Sequence, residues 1–312
     1  MNIISPVRTF GIIAGLAAAS IWGGMYVVSK VVLEVIPPFT LLNIRLLLGI
    51  ISLGSIILLK KGFRATRKQV GVILLVGIIG FGISLGFQFT GTKLSSAANA
   101  ALVTSASPVF ILLFGALILH ERVTSVRLFA LLLASVGVLI VVDPRAALYG
   151  GKAAIGNVLL LAAALTWGLY SVLIKKSSKD LNIIEVSTFA FIGGWFFSLP
   201  IMFSEIKSES IGTLTLPIIL GVLYLGIIAT ALAMYLWNKS LDILEAGLVS
   251  LLFFAQPVVG VALGTLILDE VLNTGFWVGA GMIGLGLLIA ARSDIARNSD
   301  NVRNNGAVIQ EG

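Results

Sequence analysis

Residues 16–30 read LAAASIWGGMYVVSK and residues 161–175 read LAAALTWGLYSVLIK, identical at eight of fifteen aligned positions. GALILHE at 115–121 returns as GTLILDE at 264–270, identical at five of seven. The chain is therefore two diverged copies of one unit. Each copy divides into five apolar runs, so ten are expected: 9–29, 38–59, 70–90, 97–118, 126–142, 154–174, 184–204, 214–236, 243–267 and 274–291. A helix needs about 20 mostly apolar residues to cross a bilayer. Five is an odd number, so the second copy must enter the membrane upside down relative to the first. The expectation is an all-α membrane protein, ten transmembrane helices forming two inverted five-helix repeats around a central cavity. The expected units are residues 1–148, residues 149–292 and a disordered cytoplasmic tail at 293–312. Inverted repeats of this kind recur in secondary transporters, with the site near the midplane.

Composition agrees. The 312 residues are 58% hydrophobic and 11% charged, whereas soluble domains are about 25% charged. The net charge of +7 fits a membrane chain anchored by basic loops better than a nucleic-acid binder, because basic patches interleaved with aromatics are missing. With the N-terminus inside, the inner segments hold 15 Lys and Arg and the outer segments five, with Arg45 inside a span. That bias obeys the positive-inside rule and places both termini in the cytoplasm, in a cell (inner) membrane.

Enzyme motifs fail one by one. No cysteine and a single histidine exclude a Cys/His metal cluster. Gly279, Gly281 and Gly284 spell GxGxxG inside an apolar run, without the preceding strand that a dinucleotide site requires. No aspartate lies within a span, and no phosphate-binding GxxxxGK[ST] loop is present. No enzyme activity, cofactor, metal or nucleic-acid partner is expected. The expected partners are a small solute and the lipid bilayer, with the chain a monomer or weak homodimer.

The candidate site residues follow from the repeat. Pro108 and Pro257 hold equivalent places in ASPVF and AQPVV, where a mid-span proline frees a carbonyl and kinks the helix. Ser105 and Gln256 stand beside them, and Gln88 lies in a neighbouring span. Trp22 and Trp167 are equivalent, each followed within four residues by a tyrosine, Tyr26 or Tyr170; Tyr235 lies in the eighth span. An aromatic wall suits organic solutes through stacking and cation–π contact. Lipid-facing or packing roles are the alternative for each. Arg45 is the one charge well inside a span, where isolation costs at least about 2.5–3.5 kcal/mol on insertion scales; it serves either a solute carboxylate or helix packing. Glu121 and Glu270 end equivalent runs. An acid there opposes the helix dipole, so each requires a specific partner, as a gate or a salt bridge.

Taken together, WGGMYVVSK and TWGLYSVLIK opening the copies, the arginine of NIRLLLG, and the pair AANAALVTSASPVFILLFGALILHE and EAGLVSLLFFAQPVVGVALGTLILDE resemble the drug/metabolite transporter superfamily. The match is to its ten-span subgroup of two EamA domains, over roughly residues 9–291. The resemblance implies a basket of ten helices whose first, third, fourth, sixth, eighth and ninth members wall a cavity. It also implies carriage, without ATP, of amino acids, other metabolites, toxic compounds or nucleotide sugars. The expected function is export of amino acids or related metabolites by alternating access. The alternatives are a multidrug or nucleotide-sugar carrier, a membrane enzyme or lipid-handling protein, and a membrane scaffold.

Overall fold

Proline and glycine punctuation sets where the helices begin and stop. A computed structural model describes residues 6–59, 65–95, 97–104, 106–121, 123–141, 151–179 and 181–268, together with 274, 277–279, 281–282, 284–286 and 288–289. Much of the 143–152 connection, the 293–312 tail, Ser105 and Glu270 lie outside them. The helices are α1 (Pro6–Leu33), α2 (Pro38–Leu59), α3 (Arg67–Gly77), α4 (Leu85–Leu94), α5 (Ala97–Thr104), α6 (Ser107–Leu119), α7 (Ser125–Val141), α8 (Lys152–Ser177), α9 (Ile183–Ser208), α10 (Leu216–Leu223), α11 (Ala233–Ile243), α12 (Ala246–Leu252) and α13 (Ala255–Leu268). No strand occurs among the described residues.

Pro37 ends the first turn region and Pro38 opens α2, where a missing N–H is harmless. The N–H groups exposed just beyond it are satisfied from afar. Glu205, near the end of α9, accepts from Phe39 N at 3.1 Å and Thr40 N at 2.7 Å. A carboxylate at a helix N-terminus also complements the dipole. Thr66 and Gln69 form a reciprocal capping box that starts α3, and Asn182 caps α9.

Six helical stretches are long and apolar enough to cross a membrane: Pro6–Leu33, Pro38–Leu59, Arg67–Leu94, Ala154–Ser177, Ile183–Ser208 and Leu216–Ile243. Shorter apolar helices occupy the remaining expected runs. The fourth and ninth runs are short for a visible reason. Each breaks beside its proline, between α5 and α6 and between α12 and α13, because proline cannot donate to the preceding turn. Bulky apolar side chains such as Ile51, Leu75, Leu113, Val158 and Leu220 point outward and are exposed. In water such a surface would drive aggregation; for a multi-pass membrane protein it is the face that lipid covers.

Two stretches are wider than an α-helix. Ile78–Ser84 and Tyr224–Leu232 are π-helical and sit at equivalent places in the two copies. Thr230 Oγ1 donates to Leu225 O at 2.7 Å, five residues back, a bond that stabilises the wide turn. Such segments are rare and concentrate at functional sites.

Packing is arranged around α1 and α8. The first contacts α11 and α13, the second contacts α4 and α6, and α2 packs along α9. The helices α3 and α9 cross almost backbone to backbone, through Gly77 and Gly193. One large core runs through the middle of the bundle, and a small cluster of Ala130, Leu131, Ala134, Leu251 and Phe254 joins α7 to α12 and the break that follows it.

Candidate solute cavity

A narrow cavity lies near the midpoints of α1 and α8, which contribute Trp22 and Trp167. The other lining side chains come from α2 (Arg45), the π-segment and α4 (Ser84, Gln88), the α5–α6 break (Thr104, Ser107), α11 (Met234) and the α12–α13 break (Phe253, Gln256). Elements from both copies therefore meet here.

The wall is largely aromatic. Trp22 and Trp167 stand edge to face with ring centroids 5.5 Å apart. Trp237 and Phe253 close on Trp22 at 5.2 and 5.8 Å. Trp22 is fixed by its indole N–H, which donates to Ala229 O at 2.9 Å, in the second π-segment. Trp167 Nε1 is buried and has no acceptor among the described residues. The equivalent tryptophans are thus unequal: one is structurally saturated, and the other holds a free donor.

A directed chain of hydrogen bonds crosses the wall. Gln256 Nε2 donates to Tyr26 Oη at 3.3 Å. Thr104 Oγ1 donates its one proton to Ala100 O at 2.6 Å, so Tyr26 donates to Thr104 Oγ1, at 2.7 Å. The chain ties α1, α5 and α13 together across the two copies.

Arg45 is 1% exposed. Its Nε donates to Thr230 Oγ1 at 2.7 Å, its Nη1 meets Met25 Sδ at 3.5 Å, and its guanidinium lies over the Phe89 ring, 5.1 Å from the centroid. Among the described residues no carboxylate pairs with it. The π-segment matters locally: by giving the Thr230 proton to Leu225 O, it leaves the hydroxyl oxygen free to accept from the arginine.

Of the residues singled out from the sequence, Trp22, Tyr26, Arg45, Gln88, Trp167 and Gln256 come together around this space. Pro108, Tyr170, Tyr235 and Pro257 do not line it. Each proline sits in the first turn of the helix after its break, and the residues just before it, Ser107 and Gln256, face the cavity instead. Tyr170 stands behind the wall, its ring 5.0 Å from Trp167. Tyr235 is half-buried, with its neighbour Met234 turned inward. Ser105 and Glu270 lie outside the described residues. Trp237, Phe253, Met25 and Ser84 were not singled out. Phe253 matches Thr104 at the spacing of the proline pair, so the repeat did not reveal it.

Glu121 is not in the cavity. His120 adopts a left-handed conformation (φ 54°) that ends α6, and this swings Glu121 onto the N-terminus of α12. Its carboxylate accepts from Ala246 N at 3.0 Å and Gly247 N at 3.1 Å, and it lies 3.6 Å from Lys175 Nζ. Arg127 pairs with Glu245 beside it. Gly11, near the start of α1, packs on Ile243 and Leu244 at this same end of the bundle. At the opposite end, beyond α1, Lys93 pairs with Glu209, Lys30 donates to Ser95 O at 2.8 Å, and Gly212 N donates to Val35 O at 2.9 Å. Glu121→Ala is expected to cost about 1–2 kcal/mol, the size of a lost N-cap bond. Thermal unfolding followed by tryptophan fluorescence should show it as a fall of several degrees, and an unchanged midpoint would mean that the latch contributes nothing.

The model of the EamA-like transporter family matches this chain twice, over residues 9–143 and 154–292. The chain belongs to that family. Among curated relatives, the "Uncharacterized transporter YetK" of Bacillus subtilis is 29% identical over 290 residues, covering 90% of this chain and 87% of its own. A "Probable amino-acid metabolite efflux pump" of Salmonella typhimurium is 32% identical, with 88% of this chain and 92% of the relative covered. Its namesake in Escherichia coli is 30% identical, with 90% and 94% covered. A crystal structure with a TM-score of 0.76 and 22% identity covers 91% of this chain and 96% of its own, which establishes the shared fold. Family and relatives point to a membrane transporter rather than an enzyme.

Proposed function

We propose that this transporter exports amino acids or related metabolites, as a secondary carrier working by alternating access between two inverted five-span repeats. The observation that carries the reading is the mid-depth cavity walled by both copies. The packing supports a two-fold relation between the copies. α1 meets the helices after the second π-segment and after the second proline break, while its counterpart α8 meets those of the first copy. Such an exchange of partners is what a pseudo-two-fold axis produces, and the odd number of expected spans per copy lays that axis in the membrane plane. Polar clusters at the two ends of the bundle then act as alternating gates. Efflux of amino-acid metabolites is taken from the names of the Salmonella and Escherichia relatives. The remaining assignments of the reading are ten spans, repeat units 1–148 and 149–292, both termini cytoplasmic and the inner membrane as the location.

Two measurements test it. The chain has no native cysteine, so single cysteines at Ala65 and Ser208 label uniquely. They should react from the inside and the outside respectively, and labelling from one side would overturn the topology. Purified protein in liposomes should exchange labelled amino-acid derivatives for unlabelled ones in counterflow. Lack of protein-dependent counterflow across a broad panel of small organic solutes would overturn the carrier assignment.

A further inference from the structure

The cavity wall has a one-sided charge inventory. Among the described residues its lining holds a single charged side chain, the cation Arg45, and no carboxylate. The sequence extends that statement across the whole chain: no aspartate lies in any expected span, and Glu185 and Glu245 stand only at the starts of theirs. Both are engaged at the ends of the bundle, Glu185 by Ala65 N and Glu245 by Arg127. Glu121 and Glu205 are likewise held by helix N-termini. The sole histidine, His120, closes α6 away from the cavity.

Around the guanidinium itself, α1 supplies Met25 and Tyr26, α4 supplies Phe89, and the second π-segment supplies Tyr224 and Thr230. None of these is anionic. Nε and Nη1 have neutral partners, while Nη2 has none among the described residues. Trp167 lines the same cavity, and its buried indole N–H also lacks an acceptor among the described residues. A buried, unneutralised cation is unstable unless something supplies charge and acceptors. The wall therefore holds a positive charge and a second donor that no described protein group matches, with aromatic rings around them.

We propose that the transported solute is an organic monoanion with an apolar or aromatic body, and that the membrane potential drives its export without a coupled proton. The proposal rests on the carrier reading above and sharpens it. Carboxylate oxygens accept from Arg45 and from the Trp167 indole, and the body lies against Trp22 and Phe253. An ammonium group has no counter-ion here and is repelled by the guanidinium. Among amino-acid metabolites the site accordingly favours those whose amine is acylated or lost over the parent zwitterion. Among the described residues no carboxylate or histidine lines the cavity to carry a proton through the cycle. The loaded site is neutral and the empty site positive, so each turnover moves one negative charge outward. A cell interior is electrically negative, which makes that direction downhill. The potential is worth about 2.3 kcal/mol per charge per 100 mV, which equals a distribution ratio of about fifty-fold.

The test uses the full chain in liposomes and three labelled solutes of one skeleton: N-acetylphenylalanine (monoanion), phenylalanine (zwitterion) and phenylalaninamide (cation). Potassium gradients with valinomycin set the potential, and pH gradients are imposed separately at zero potential. We expect N-acetylphenylalanine to leave fastest and the amide not at all. An inside-negative potential of 100 mV should drive the anion toward the roughly fifty-fold ratio, and the pH gradient alone should leave it near unity. Arg45→Lys, which keeps the charge, should retain slower potential-driven flux, and Arg45→Gln should lose at least about ten-fold. Quenching of tryptophan fluorescence by N-acetylphenylalanine in detergent checks binding and fold in each variant. If Arg45→Gln does not fold, the wild-type charge series and its voltage response still decide. Movement of the amide or the zwitterion but not the anion overturns the charge assignment and leaves the carrier standing. Anion flux that follows pH and ignores potential overturns the energetics. No flux and no quenching with any of the three overturns the charge proposal, and a silent counterflow panel overturns the carrier reading with it.

Discussion

Trp22→Ala is expected to lower unfolding stability by about 3–5 kcal/mol, the range for removing a large buried aromatic. Trp22 is 3% exposed and contacts Trp167, Trp237 and Phe253 through ring faces and edges. Its loss opens a void that three large rings cannot fill without leaving their rotamers. It also orphans Ala229 O, the acceptor of its indole N–H. Trp167→Phe is the instructive contrast. It keeps most of the ring volume and deletes a donor that already lacks an acceptor, so removing it sheds a desolvation penalty. Stability of that variant should stay within about 1 kcal/mol of the parent while solute binding weakens. Thermal unfolding followed by fluorescence separates the two. Equal destabilisation of both variants would mean that Trp167 is as structural as Trp22.

The second large effect is expected at the crossing of α3 and α9. A Cβ added to Gly193 would lie 2.1 Å from Leu74 O, and one added to Gly77 would lie 2.1 Å from Ala190 O. The obstacle in each case is backbone, so no side chain can turn away. The helices must separate, which loses contact along their length. Overpacking of this kind costs about 1–3 kcal/mol and occasionally more. Gly77→Ala and Gly193→Ala should each lower the unfolding midpoint, and the double variant should cost less than the sum, because one separation relieves both clashes. Gly71, whose added Cβ would meet nothing within 4 Å, is the control, and Gly71→Ala should leave the midpoint unchanged or raise it, since alanine favours the helix. A parent-like Gly193→Ala would show that this crossing tolerates separation.

Much of this protein follows from residue order. The repeated Trp-Gly openings, the glycine content and the apolar runs divided by proline and charge were enough for an all-helical membrane chain and for the family. Trp22 and Trp167, placed in pairs by the repeat, do meet across the cavity. Arg45 stood out because a charge in an apolar run is costly wherever it points. These signals are local or periodic, so they survive without coordinates.

Other features depended on distance in space. Glu121 looked like an acid opposing its own helix dipole. In the structure it caps a different helix, 125 residues away in sequence. Pro108 and Pro257 marked the breaks, but the side chains that face inward belong to neighbouring positions. Which residue turns toward a cavity depends on how the broken ends rotate when packed. The π-segments are likewise invisible in a pattern of apolar residues, since one extra residue per turn leaves hydrophobicity unchanged. They nevertheless place Ser84 at the cavity and Thr230 against Arg45.

The sequence by itself determined the helical class, the duplication and the presence of one deep cation, because repeat spacing, hydropathy and charge are properties of the chain. Only the tertiary structure decided that, among the described residues, this cation has no carboxylate beside it, that one of the paired tryptophans keeps a free donor, and that four of the chosen residues stand outside the cavity. Those are facts about which groups become neighbours, and neighbours are chosen by packing.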